Sequence, residues 1–167
     1  MNKIFLAIYF ILSALFIYYL LLPTPDFPKP PTDAVQSQEP ADTETPLRRA
    51  YFTDFTREEV ISSYKVQFDG KFPTLRLNYP PEDAQTLIRD QTRSTFLEEL
   101  VHPLRESVYI NGFEPKDPKD TININGRHWR QKIIVRYVSS SDWIRILIAL
   151  PTLALIWVSL RSWRKEI

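Results

Sequence analysis

Three sets of side chains in this sequence have the types and spacing to do chemistry. The first is carboxylates: Glu98 and Glu99 are adjacent, and Glu106 follows within a short stretch. Two carboxyl groups held apart in pKa are the minimum for general acid–base work. Adjacent glutamates ordinarily divide instead into one outward side chain and one ion-paired one; Arg89, Asp90 and Arg93 form a second charge cluster. No catalytic residue is assigned, and the chain is read as a non-enzyme. The second set is the histidines, His102 and His128, which lack any partner at the spacing of a metal-binding motif. With no cysteine in the chain, neither a metal site, a disulfide nor a thiol couple is expected.

The third set is cationic. In "RHWRQKIIVRYV", period-two alternation puts Trp129, Ile133, Val135 and Tyr137 on one face of a strand. His128, Arg130, Lys132 and Arg136 share the other, with Arg127 nearby. Such a row is either the solvated side of an antiparallel sheet or an anion-facing strip for lipid headgroups or an acidic envelope polymer. Phosphate-cradling loops need glycines, and only Gly70, Gly112 and Gly126 are present, so no nucleotide cofactor is expected. A net charge of +1 from 21 basic and 20 acidic residues gives no case for nucleic acid.

The elements that would carry these residues form a small α+β domain over residues 48–142. "FTREEVISSYKVQF" opens with Thr56 and Glu59 in capping-box spacing, and Val60, Ile61, Tyr64 and Phe68 follow at helical intervals. "TLRLNY" alternates as a strand, and "PPEDAQTLIRDQTR" reads as a second helix. Residues 95–103 fit a short helix or a strand equally. "SVYINGF" is a strand ending in an Asn111–Gly112 turn, and Asn125–Gly126 marks a tight turn between two more. The expected architecture is a small antiparallel sheet with two or three helices on one face, flanked by an N-terminal and a C-terminal transmembrane helix.

Residues 4–22 carry no charge and make about 28 Å of helix, enough for a hydrocarbon core. The apolar run is longer than a signal peptide's and lacks an A-x-A cleavage pattern, so residues 1–22 are read as an uncleaved anchor. Residues 143–163 form the second span, with Trp143 and Trp163 at its two ends, Pro151 inside it, and Arg145 expected to snorkel outward. The basic tail at 164–167 and Lys3 flank the spans, whereas residues 23–47 are acidic. The positive-inside rule therefore places both termini in the cytoplasm and the domain outside. Seven prolines and small polar residues make 23–47 an extended spacer with nothing to bury. Through "SSSD" the last strand runs almost directly into the second span, which keeps that edge of the domain near the membrane.

This layout of two spans, inside termini and an outside domain resembles that of the polysaccharide co-polymerases; the resemblance is one of layout and carries no site residue across. The expected protein is a multi-pass component of a bacterial plasma membrane, a structural or assembly subunit of a cell-envelope complex. Its expected partners are membrane lipid, other proteins or further copies of itself, and anionic lipid or envelope polymer. The alternative is an extracytoplasmic ligand-sensing domain whose short tails would leave the output to a partner protein.

Overall fold

The computed structural model describes residues 3–68, 75–79, 96–101, 104–115 and 117–166. It divides into two units, one of Met1–Thr24 with Ser139–Ile167 and one of Pro25–Val138.

The first unit is a pair of helices, α1 (Lys3–Leu20) and a helix labelled α3 (Asp142–Glu166), which pack against each other. Both are long and apolar enough to cross a membrane by length and composition. A core helix of a soluble protein would be largely covered, but 6% of the first span and 11% of the second are buried. Their seam is aromatic. The Tyr9 ring lies 5.1 Å from Trp157 and Phe10 5.8 Å from it, while the Tyr9 hydroxyl donates to the Leu153 carbonyl at 2.6 Å. Pro151 remains inside α3, and one residue on the Thr152 hydroxyl donates to the Ile148 carbonyl at 2.8 Å.

The Arg145 side chain is 6% exposed, and its partners lie at the end of α1 and the start of α3. The guanidinium donates to the Leu20 carbonyl, to Thr24 Oγ1 at 3.1 Å and to the Ser140 carbonyl at 2.8 Å, and pairs with Asp142 at 2.8 Å. Leu20 ends α1, and its carbonyl has no intrahelical donor. A cation there meets the negative end of the helix dipole.

The second unit is an antiparallel sheet with one described helix on it. Its strands are β1 (Val35–Gln36), β2 (Arg48–Thr53), β3 (Leu75–Tyr79), β4 (Phe96–Val101), β5 (Ser107–Phe113) and β8 (Gln131–Val138). Their order across the sheet is β1-β2-β8-β5-β4-β3. β6 (Ile122–Ile124) and β7 (Arg127–Trp129) form a separate hairpin, turned by Asn125 and Gly126 at φ 54° and 75°. Two consecutive positive φ values are what a type I′ turn needs, and Asn-Gly supplies them cheaply.

Helix α2 (Arg57–Phe68) starts at the predicted capping box: Thr56 N donates to Glu59 Oε2 at 2.7 Å, and Glu59 N to Thr56 Oγ1 at 3.2 Å. Val60, Ile61 and Tyr64 seat it against Tyr51, Leu100, Val108, Ile110, Ile133, Val135 and Tyr137. Burying a side chain of this size contributes about 1.5–3 kcal/mol, so this patch holds the sheet flat against the helix. The second predicted helix, over 80–93, and His102 lie outside the described residues.

Within 95–103 the described residues, Phe96–Val101, are strand β4. Leu97, Glu98, Glu99 and Leu100 are all buried, so both faces of the sheet are covered here and alternation is lost from the sequence. The expectation of one continuous last strand is corrected: it breaks at Arg130 into β7 and β8. Gln131 continues the buried side, its Nε2 donating to the Phe55 carbonyl at 2.5 Å.

The proline-rich segment also differs from a spacer with nothing to bury. Tyr137 donates its hydroxyl to the Pro25 carbonyl at 2.7 Å, Phe27 packs edge-on against Tyr137 at 6.1 Å, and Lys29 and Gln67 exchange two hydrogen bonds of 2.8 and 3.0 Å. Asp33 accepts from Thr53 Oγ1 and Asp54 N, each at 2.7 Å. β1 then pairs with β2, and beyond it Ser37 and Asp42 are buried against the opposite face of the sheet. The segment wraps the sheet edge from one face to the other. Prolines favour this because an extended chain loses little entropy on docking.

Candidate functional site

The five cations singled out from the sequence divide among three settings. Arg127 and His128 are on β7, outside the main sheet. The Arg127 guanidinium stacks 3.9 Å over the Trp129 ring and pairs with Asp54 at 2.6 Å. Asp54 also accepts from Arg130 N at 3.1 Å. The hydrogen bond from Arg127, followed by that from the Arg130 backbone, holds the Asp54 carboxyl below its ordinary range. Arg130 itself donates to Glu114 at 2.9 Å. With His128, Asp117, Thr121 and two prolines, Glu114 and Arg130 line an open cleft of about 480 Å³.

Lys132 belongs to the edge-wrapping segment. Its ammonium pairs with Glu39 at 2.8 Å and Asp42 at 2.7 Å, and Ser37 Oγ donates to the same Asp42 oxygen at 2.5 Å. Burial alone would lower the lysine pKa; its hydrogen bonds to Asp42 and Glu39 outweigh that and hold it above the ordinary value.

Arg136 is exposed on β8 and lies directly opposite Arg48 of β2. Opposite residues of an antiparallel pair share a face, with Cβ atoms about 4.5–5.5 Å apart, and like charges there are unfavourable. Glu44 pairs with Arg48 at 3.6 Å, while the Arg48 Nε is buried with no partner among the described residues. The same row continues through Tyr109, whose hydroxyl donates to Glu99 at 3.2 Å, as Ser107 does at 2.9 Å. Burial first, and then the Glu99 charge, push the Tyr109 hydroxyl pKa up.

The carboxylates considered for acid–base chemistry do not converge. Glu98 is fully buried on the α2 face and paired with Arg57, whereas Glu99 is on the opposite face with Ser107 and Tyr109. Glu106 is buried beside Arg105 at 3.1 Å. Among the described residues no three His, Cys, Asp or Glu side chains form a group that could hold a metal ion.

Two features of this unit had no signal in the sequence. The Arg48–Arg136 apposition depends on strand register, which residue types alone do not set. Leu104, between β4 and β5, is 69% exposed at φ 63°. A leucine in the left-handed region costs roughly 1–2 kcal/mol, and this one gains no burial in return. No protein-family model, curated protein or solved structure matches the chain.

Proposed function

We propose that this is a non-enzymatic, two-span membrane protein that displays a small interaction domain outside the cytoplasm as a structural or assembly subunit of a cell-envelope complex. The observation that carries the reading is the pairing of two barely covered apolar helices with a folded unit between them. Charge asymmetry around the helices supports cytoplasmic termini, with basic residues at 161, 164 and 165 and acidic ones dominating 23–47. Opposed and ion-paired carboxylates favour binding over acid–base catalysis. Protease treatment of sealed cells tests the topology: the domain should be cut while tags at both termini survive. Crosslinking in intact cells followed by identification of attached proteins tests the assembly role. A chain that attaches to nothing, itself included, would falsify it.

One observation favours a second reading, a ligand-sensing domain acting through a partner. The cleft at Glu114, His128 and Arg130 gathers charged groups of both signs around an opening large enough for a small molecule. A thermal-shift screen of zwitterionic and anionic metabolites against the purified protein decides it. Hits abolished by His128→Ala would establish the sensor; a blank screen would remove it.

A further inference from the structure

The end of the sheet where β8 leaves for α3 combines three features. Leu47, Leu104 and Val138 are there and are exposed, although all are apolar. Leu47 accepts from Tyr137 N, Val138 pairs with Ser107, and Leu104 belongs to the connection that delivers β5 to that pairing. One register step behind them stand Arg48 and Arg136, opposite each other on one face. Apolar tips with cations a step behind match the profile of a bilayer interface, where side chains enter the acyl boundary and guanidiniums meet phosphates. The chain also limits the distance: residues 139–141 alone separate Val138 from Asp142, at most about 14 Å when fully extended.

We infer that this sheet end docks on the membrane surface, Leu47, Leu104 and Val138 entering the interface and Arg48 and Arg136 binding the phosphates of anionic lipid. The inference rests on the two-span reading proposed above. It accounts for two things that folding leaves unexplained: an exposed leucine in a strained conformation and an apolar rim at a chain exit. Arg136 is exposed and Arg48, paired with Glu44, lies opposite it, so one phosphate can accept from both guanidiniums.

The chain has no cysteine, so single introduced cysteines can be spin-labelled in the full-length protein in nanodiscs of phosphatidylglycerol or phosphatidylcholine. Collision with oxygen reports lipid; collision with a water-soluble nickel chelate reports solvent. Leu104→Cys should be oxygen-accessible in phosphatidylglycerol and shift toward nickel in phosphatidylcholine. Asn123→Cys, on the hairpin beyond the other end of β8, should be nickel-accessible in both. Adding Arg48→Gln with Arg136→Gln should reduce the docked-to-undocked ratio about 25-fold, roughly fivefold per cation, with Leu104→Cys then reading solvent. Nickel access at Leu104→Cys in both lipids overturns docking. An oxygen signal equal in both lipids and unmoved by the arginine substitutions overturns the phosphate contact. Immersion seen only in native membranes transfers the surface to a protein partner and overturns the lipid assignment. Leu12→Cys, mid-span, keeps the two levels apart: nickel access there defeats the spanning reading itself, whereas oxygen access there with solvent at Leu104 defeats docking alone.

Discussion

Replacing Arg145 with Met keeps most of the side chain's apolar length but removes the guanidinium donors that tie α3 to the end of α1. Partners of the guanidinium include Leu20 O, Thr24 Oγ1, Ser140 O and Asp142. In a soluble protein, hydrogen bonds to a charged group contribute about 1.5–3 kcal/mol each. That figure is too large here, because a separated helix lets Arg145 reach interfacial water and headgroups. Membrane hydrogen bonds measured against such a reference average about 0.6 kcal/mol. Two contacts are also nearly local, Ser140 and Asp142, and outlast separation of the helices. The expected loss of helix pairing is therefore about 1–3 kcal/mol, most of it from Leu20 and Thr24. Titration of the full chain with SDS in mixed micelles, with Trp129, Trp143 and Trp163 replaced by Phe so that fluorescence comes from Trp157 at the seam, reads this as a lower unfolding midpoint. Arg145→Lys should recover part of it, since an ammonium still meets the Leu20 carbonyl. An unchanged midpoint in Arg145→Met would mean that the side chain reaches the headgroups and does not clasp α1.

Tyr64→Phe should be neutral or stabilising by up to about 1 kcal/mol, because the wild-type hydroxyl is buried with no partner among the described residues; urea denaturation checks it. Arg57→Met leaves the buried Glu98 carboxylate without this partner and should cost about 1–3 kcal/mol, reduced from the fully buried case because Arg57 is 42% exposed. Addition of Glu98→Gln to that variant should restore part of the loss. Lowered carboxyl pKa values at Asp54 and Glu59 mean that their contribution is present above the ordinary carboxylate range and is lost as pH falls through the folded-state values. Asp54→Asn should therefore flatten the acid limb of the stability curve. The raised Lys132 pKa has the opposite sign: its contribution is complete below the ordinary lysine value and disappears as pH climbs through the folded one. Lys132→Met should flatten the alkaline limb.

Two local signals in the sequence carried through to structure, whereas a third, the Asn111–Gly112 turn, did not: both residues pair with β8 inside β5. Thr56 and Glu59 cap α2, and Asn125–Gly126 turns the β6–β7 hairpin, because each depends on a few adjacent residues. The terminal helices were legible for the same reason, as their apolar length is itself the signal. What was illegible depends on contacts far apart in the chain. Asp33, Ser37 and Asp42 look like spacer residues until Thr53, Lys132 and the edge of β2 are placed beside them. The 95–103 stretch lost its period because Leu97 and Leu100 are buried on opposite faces. Gln131 was the one miss with a signal available: the odd-numbered alternation from Trp129 to Tyr137 runs straight through it. Among the strip residues, the types were right for pairing with anions, but only register reveals that Arg127, Arg130 and Lys132 meet acids of this same chain.

The hydrogen bond from Tyr137 to the Pro25 carbonyl brings the first and last residues of the sheet unit side by side. A module whose two ends meet is portable: it can be set into a loop of another protein, or excised and closed head to tail, without stretching its host.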